Sequence, residues 1–282
     1  MNQSPVQTAL NRAMIRWSLT KSTPVAETAT SAIFRVEQNG RNFAALKILK
    51  SQAGEGEQRG AQLMNWFSGE GAATVFDIHG DTIFMEWLDG RPLGDAVRSG
   101  HDDQGTIAIC TVVSNLHRQR SEPPPELPGL RDRFATLFAT DVRLWPHTAR
   151  DLYARASGIA LKLMDRPSRQ VPLHGDLHHD NILSSDRGWL AIDPQGLIGD
   201  PLYEVAGVFR HPHGATSLVA NPRRIASLAE AFETRLGFAR KRVLGYAAAH
   251  SALCASRALA AGHPITVDLA VLPLLLSAYD QA

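Results

Sequence analysis

The chain has 282 residues, of which 44% are hydrophobic and 20% are charged, proportions typical of a soluble globular protein. Its 29 Lys and Arg against 28 Asp and Glu leave a formal net charge of +1, which argues against a protein that binds nucleic acid mainly through its phosphates. The two cysteines, Cys110 and Cys254, cannot form a disulfide framework or a four-cysteine zinc site, and we expect both to be buried, reduced side chains.

The first 90 residues alternate short apolar segments with turn-forming residues, a pattern typical of antiparallel strands. Strands are predicted over four segments: 32–37, 43–49, 73–78 and 82–87. Turn signals at residues 38–41 and 79–81 join these strands in pairs. A helix running from near Ala53 to Phe67 separates the two pairs. This pattern predicts a small antiparallel sheet lobe over residues 1–88.

After residue 90 the apolar residues recur at helical spacing. Helices are predicted over five segments: 106–116, 130–144, 149–164, 225–232 and 243–261. Three consecutive prolines at 123–125 predict an extended connector, which we interpret as a loop inside the second lobe. The sequence therefore predicts an α+β protein with a larger, mainly helical lobe over residues 89–282 and a ligand cleft between the two lobes.

Signals for a membrane or for export are weak. The apolar stretch at residues 269–278 is shorter than a membrane span of about 18 residues, and it contains Pro273. Residues 1–20 are polar and lack the apolar centre of a signal peptide. These features predict a cytoplasmic protein with neither a membrane nor a nucleic-acid partner, and they carry no signal for an oligomeric state.

The densest polar stretch between apolar anchors is residues 173–183, followed by an apolar strand that ends at Asp193. The spacing allows a loop, a strand, a turn and a second strand, so that Asp176, Asn181 and Asp193 converge. Phosphoryl transfer needs a carboxylate that accepts the proton of the attacking hydroxyl, and oxygen ligands for Mg²⁺ on the nucleotide phosphates. The His-x-Asp-x-x-x-x-Asn spacing with a later Asp is the pattern of a kinase catalytic loop.

Two other interpretations of this stretch remain open. The histidines and acids of residues 174–180 could form a zinc cluster, but His174 and His178 are separated by a loop-forming Gly-Asp and do not share a helical face. The motif could also belong to a binding protein that has lost catalysis on the same scaffold. The presence of all three central residues favours an enzyme.

Residues 174–181, followed by Asp193-Pro194-x-Gly196, resemble the aminoglycoside phosphotransferase family, which shares the protein-kinase fold. The resemblance extends to the branch that contains streptomycin 6-phosphotransferases and hydroxyurea phosphotransferases. The segments that carry it span most of the chain: 131–134, 137–138, 173–181, 187–190, 192–194 and 221–226.

This resemblance implies a bilobal, protein-kinase-like fold and an ATP-dependent O-phosphotransferase. The implied acceptor is a small hydroxylated molecule, an aminoglycoside of the streptomycin type, and the implied role is antibiotic resistance. Asp176 would be the catalytic base, Asn181 and Asp193 would bind Mg²⁺, and His174 would orient the loop. Alternatives are a kinase for hydroxyurea or another small metabolite, and a non-catalytic nucleotide-binding regulator.

A kinase-like sheet lobe also needs a cation for the nucleotide phosphates on a central strand. Lys47 lies in the middle of the predicted strand 43–49, and Lys50 is the weaker alternative. A helix carboxylate should pair with this lysine, and Glu57 is favoured over Glu55. Either acid could instead be a solvated residue near the start of a helix.

The remaining nucleotide contacts are less specific. The glycine-rich loop of protein kinases is absent, and residues 28–32 replace it, with Ser31 as a phosphate contact. The segment that ends the sheet lobe resembles a kinase hinge. There the backbone groups of Glu86 and Leu88 would contact the adenine edge.

The acceptor side is the least defined part of the sequence. Guanidinium groups of a streptomycin-like acceptor would call for carboxylates, and Asp132, Asp200 and Glu204 are candidates. Asp200 could equally cap the helix that starts at Pro201. Four aromatic residues could line the site or belong to the core: Trp145, Trp189, Tyr203 and Phe209.

Overall fold

The computed structural model describes residues 4–38, 42–51 and 54–282. Two sequence predictions, the hairpin turn at residues 39–41 and the helix start near Ala53, lie outside the described residues. The rest of the chain forms an antiparallel sheet followed by a mainly helical region, which confirms the predicted α+β class.

The sheet contains five strands in the order β1-β2-β3-β5-β4, with antiparallel neighbours throughout. The strands are β1 (Leu19–Glu27), β2 (Ser31–Gln38), β3 (Asn42–Leu49), β4 (Val75–His79) and β5 (Thr82–Glu86). Helix α1 (Pro5–Arg16) and strand β1 are additions to the predicted elements. Strand β1 is an exposed edge strand that includes Pro24, so it lacks the apolar alternation that identifies a half-buried strand.

The alternation of side chains along β3 separates the two faces of the sheet. Leu46 and Ile48 are almost fully buried against Leu10 of helix α1, in a small core that also holds Phe84. Successive side chains of a strand point to opposite faces, so Lys47 faces away from α1. The opposite face carries helix α2 (Gly54–Phe67), which packs into the main core of the molecule.

The helical region surrounds a core built on its longest helix. Its α-helices are α3 (Leu93–Arg98), α4 (Asp102–Leu116), α5 (Leu130–Arg133), α6 (Ala135–Ala139), α7 (Arg150–Asp165), α8 (Thr216–Val219), α9 (Pro222–Leu236), α10 (Arg240–Ala260) and α11 (Thr266–Gln281). A ten-residue 3-10 helix (Pro201–Arg210) packs on α10. Cys110 and Cys254 are free thiols, buried and half-buried. No helix of the described chain is long and apolar enough to cross a membrane.

The predicted helix over residues 130–144 is wrong as one element. Helices α5 and α6 meet at Phe134, and a separate 3-10 turn covers Val142–Leu144. Asp141 begins that turn, because its carboxylate accepts a hydrogen bond from the Arg143 amide at 2.9 Å and competes with helix continuation. The apolar spacing predicted the buried face but not these interruptions.

Two short strand pairs carry the polar motif. Strands β6 (Val171–Leu173) and β9 (Leu197–Gly199) pair, and β7 (Ile182–Ser185) forms a hairpin with β8 (Gly188–Ala191). This confirms the predicted strand, turn and second strand after the loop. The connector at residues 117–129 is free of helix, as the three prolines predicted.

Candidate active site

Lys47 connects two carboxylates that come from different parts of the fold. Its Nζ lies 2.6 Å from Glu57 Oε2 of helix α2 and 2.5 Å from Asp193 Oδ1, which follows strand β8. Burial by itself lowers the pKa of Lys47, but the charges of Asp193 and Glu57 raise it by more, so the pKa lies above its ordinary value. The lysine therefore presents a fixed positive charge to the cleft.

Helix α2 approaches the Asp193 segment closely because residue 60 is glycine. A Cβ at Gly60 would lie 2.0 Å from the carbonyl oxygen of Pro194. This contact places Glu57 near Lys47, and Thr30 Oγ1 donates to the other Glu57 oxygen at 2.9 Å. The side chain of Glu55, the weaker candidate, is outside the described part of the chain.

The loop between β6 and β7 is held by a buried acid. Glu204 accepts hydrogen bonds from the backbone amides of His174 (2.9 Å) and Gly175 (3.1 Å), and His117 Nε2 lies 3.1 Å from it. Burial raises the pKa of Glu204, but His117, the charge of His174 and the Gly175 amide lower it below its ordinary value. Glu204 is therefore an anchor of the loop rather than an open contact for an acceptor.

Two of the three central residues of the motif, Asn181 and Asp193, line the cleft, and the third, Asp176, contacts Asn181. Asn181 Nδ2 donates a hydrogen bond to the backbone oxygen of Asp176 at 3.0 Å. The backbone oxygen of Asn181 accepts a hydrogen bond from the Ile192 amide at 2.9 Å. His174 Nε2 lies 2.9 Å from the Ile192 oxygen, a contact that links the loop to the strand before Asp193. Tertiary contacts thus join the two parts of the motif.

A cavity of about 260 Å³ lies between the sheet and the helical region. Lys47, Glu57, Asn181 and Asp193 line its charged end. The other end is apolar and reaches the hinge segment that contains Glu86 and Leu88. Side chains from both regions form this apolar part: Val25, Ile33, Ala45, Ala61, Met64, Ala73, Ile83, Met85, Leu183 and Ile192.

Glu86 and Leu88, in the segment that resembles a kinase hinge, differ in their backbone hydrogen bonds. The Glu86 amide donates to the Thr74 oxygen at 2.8 Å, and its carboxylate is paired with Arg187 and with the Thr74 amide. Within the described chain, the Leu88 backbone has no hydrogen-bond partner. The Glu86 amide is therefore already in use, and the contact of the Glu86 carbonyl and of the Leu88 backbone with the adenine edge stays a prediction.

Ser31 is turned away from this cavity. Its side chain is 3% exposed, and its hydroxyl lies 3.3 Å from Thr28 Oγ1. Thr28 and Ser31 close the tight turn between β1 and β2, as the Thr28 amide donates to the Ser31 oxygen at 2.8 Å. The hydroxyl predicted as a phosphate contact instead supports this turn.

The other two acidic candidates have structural partners as well. Buried Asp200 caps the 3-10 helix at the Leu202 amide (3.2 Å) and pairs with Arg242 at 2.5 Å. Asp132 accepts from the Gly129 amide at 3.0 Å. Three of the four aromatic candidates are core residues that are at most 2% exposed: Trp145, Tyr203 and Phe209.

The sequence patterns did not single out the cation that faces Asp176. Arg133 Nη2 lies 3.8 Å from Asp176 Oδ1, across the junction between α5 and the polar loop. Arg133 belongs to the Arg131-Asp132-Arg133 segment that carries part of the family resemblance. Its contact with Asp176 could not be predicted, because the two residues are 43 positions apart in the sequence.

This arrangement is that of a kinase-like phosphotransferase, and solved structures share its fold. Aminoglycoside phosphotransferase APH(4)-Ia, in a ternary complex with ADP and hygromycin B, has a TM-score of 0.67 at 15% identity, covering 96% of this chain and 98% of that chain. A choline/ethanolamine kinase family protein from Mesorhizobium loti has a TM-score of 0.65 at 15% identity, covering 98% and 99%. At these identities the likeness shows the fold alone, and it confirms the predicted protein-kinase-like fold.

Sequence comparison defines the family. The chain is 35% identical to a streptomycin 3''-kinase from Klebsiella pneumoniae over 92% of its length and 97% of that protein. It is 30% identical to a streptomycin 6-kinase from Streptomyces griseus and 32% identical to a hydroxyurea phosphotransferase from Kitasatospora aureofaciens, over 69% and 67% of this chain and 63% and 56% of those proteins.

The model of the aminoglycoside/hydroxyurea antibiotic resistance kinases matches residues 16–262, and the chain belongs to that family. The predicted family membership is confirmed, and the protein is a phosphotransferase.

Proposed function

We propose that this protein transfers the terminal phosphoryl group of ATP to a hydroxyl of a streptomycin-type aminoglycoside and so confers resistance to it. The observation that supports this most is the pairing of Lys47 with Glu57 and Asp193 at the charged end of an otherwise apolar cavity. Such a cavity suits a nucleotide, with the base in the apolar part and the phosphates at the lysine. In this proposal residues 1–88 bind nucleotide and residues 89–282 bind the acceptor.

The donor set at the charged end fits a magnesium ion shared with phosphates. Asn181 and Asp193 offer hard oxygen ligands, and Mg²⁺ is usually held by one or two carboxylates plus substrate phosphates. Among the described residues, no group of three or more His, Cys, Asp or Glu is arranged as a protein-only metal site. When bound, Mg²⁺ would neutralise charge on the phosphates.

In this proposal, the residues other than the magnesium ligands position the substrates and accept a proton. Lys47 binds phosphate oxygens, and the Leu88 backbone contacts the adenine edge. Asp176 orients the acceptor hydroxyl and accepts its proton as the phosphoryl group is transferred in line. Most of the rate gain would come from positioning and from charge neutralisation. Because ATP is an intracellular metabolite, the proposed site of action is the cytoplasm.

The acceptor is proposed from the relatives. Two streptomycin 6-kinases and one streptomycin 3''-kinase are among them, and we propose the 6-hydroxyl as acceptor, with the 3''-hydroxyl as the alternative. Hydroxyurea is the acceptor named for a fourth relative and is the second candidate.

The deciding measurement is ADP release by the purified protein with Mg-ATP. Streptomycin, hydroxyurea and other aminoglycosides are supplied separately, and a reaction without acceptor is the control. We expect streptomycin to stimulate turnover, and NMR of the phosphorylated product then distinguishes the 6-hydroxyl from the 3''-hydroxyl. ATP binding without stimulation by any of these compounds would contradict the drug-kinase proposal and favour another metabolite or a regulatory role.

A further inference from the structure

Few contacts fix the orientation of the Asp176 carboxylate in the described parts of the chain. Its backbone is fixed, because the Asp176 amide lies 3.3 Å from His174 Nδ1 and its backbone oxygen accepts from Asn181. Its side chain is 34% exposed. In the described parts of the chain, the one side-chain ion pair of Asp176 is with Arg133, at 3.8 Å. A rotating carboxylate would accept a proton poorly, so this contact matters for its orientation.

Arg133 itself is firmly placed. It ends helix α5 next to the fully buried Phe134, and its backbone oxygen accepts from Arg257 Nη2 at 2.9 Å. Its side chain is only 15% exposed. Burial lowers the pKa of Arg133, but Tyr203 and Asp176 raise it above its ordinary value, so the guanidinium stays charged.

The buried Tyr203 raises the pKa of the Arg133 guanidinium. The hydroxyl of Tyr203 lies 3.0 Å from His250 Nδ1. Burial raises the pKa of Tyr203 to about 12 and holds that of His250 far below its ordinary value. Tyr203 and His250 are therefore both neutral, and within the described chain the ion pair of Arg133 is the one with Asp176.

We propose that Arg133 is a positioning residue for catalysis: it holds the Asp176 carboxylate in the orientation that receives the acceptor hydroxyl. This inference rests on the proposed role of Asp176 as base. Arg133 does not line the nucleotide cavity, so its effect belongs to the acceptor step and not to ATP binding.

The test compares steady-state kinetics of R133A and R133K with the wild type. R133A should lower kcat about tenfold to a hundredfold while the KM for ATP stays within about twofold, because misplacement of a reacting group by about 1 Å can cost this much. R133K should fall between R133A and the wild type, since an ammonium is a compact charge without the planar fork.

R131A is the matched control. Arg131 lies on the same short helix, but it pairs with Asp165 at 2.6 Å, and both side chains are more than half exposed. An exposed pair of this kind contributes little, so R131A should keep the wild-type kcat.

Chemical rescue separates positioning from a purely structural role. Guanidinium ion at millimolar concentration should restore part of the kcat of R133A and should not stimulate the wild type or R131A. An unchanged kcat in R133A, or a loss with a raised KM for ATP and no rescue, would overturn the proposal. If R133A does not fold, an unchanged kcat in R133K would overturn it. A wild type without any acceptor turnover would instead refute the proposed function on which this inference rests.

Discussion

At the scale of single residues, the charged end of the cavity depends on the ion pairs of one lysine with two carboxylates. Lys47 is one cation between two carboxylates, so an anionic phosphate that binds there competes with Glu57 and Asp193 for it. Asp176 is outside this triad and outside the nucleotide cavity. In the proposed function, nucleotide binding and the acceptor step therefore depend on different side chains, and single substitutions should separate them.

The Asp176→Asn variant tests this separation. An amide keeps the shape of the carboxylate but cannot accept the proton, so transfer to the acceptor should fall about 10²- to 10⁴-fold. Affinity for Mg-ATP, measured by calorimetry, should stay within about twofold of the wild type. Lys47→Met is the opposite control, in which the affinity for Mg-ATP falls. Wild-type transfer by the asparagine variant would exclude Asp176 as the base.

At the scale of elements, helix α2 and the segment after strand β8 must approach closely to bring Glu57 and Asp193 to one lysine. Gly60 permits this approach, because any side chain there would collide with the Pro194 carbonyl. Asp193 itself has a φ of 62°, in the left-handed region that few non-glycine residues adopt. The surrounding contacts thus hold an uncommon backbone conformation at the charged end of the cavity.

A Gly60→Ala substitution should move helix α2 away from the segment that follows strand β8. The added methyl group forces α2 away from Pro194, so the KM for ATP should rise and the free energy of unfolding should fall by about 1–3 kcal/mol. Urea unfolding and steady-state kinetics measure both effects.

The control is Gly158→Ala in helix α7, where a Cβ would meet no atom within 4 Å. Because alanine is the better helix former, this variant should be unchanged or more stable by about 0.5–1 kcal/mol. Equal behaviour of the two variants would contradict the role given to the contact between Gly60 and Pro194.

At the scale of the whole molecule, buried neutral histidines connect stability to pH. His179, His211 and His250 are each at most 4% exposed, and burial holds the pKa of each one well below its ordinary value. The unfolded chain binds protons at these histidines below a pH of about 6.5, while the folded chain does not. The free energy of unfolding should therefore be independent of these histidines above a pH of about 6.5. It should decrease as the pH falls below that value.

His211→Asn measures one part of this dependence. Each buried neutral histidine should contribute a slope of about 1.4 kcal/mol per pH unit between its unfolded and folded pKa values. Urea unfolding at several pH values between about 5 and 8 should give the variant a smaller slope by roughly that amount. The exposed His263, replaced by asparagine, is the control. Equal slopes in the wild type and His211→Asn would count against a neutral His211 in the fold.

Local patterns in the sequence were sufficient for the frame of the site. The strands around Lys47 and the order of loop, strand, turn and strand after Asp176 follow from side-chain alternation and from turn-forming residues, which act over a few positions. The motif at residues 174–181 and Asp193 was also sufficient to identify the family, because its spacing reflects a catalytic loop whose parts are close in sequence.

Tertiary structure alone decided which polar residues are structural. Asp200 and Glu204 looked like acceptor contacts, yet their partners Arg242 and His174 lie 42 and 30 residues away. Ser31 supports a turn, and Arg133 faces Asp176 across 43 residues. A buried polar group must find a hydrogen-bond partner, and that partner is chosen by packing between distant elements and not by neighbours in the chain. The sequence by itself therefore determined most of the elements and the family motif, while the fold determined which charges are already paired inside the protein.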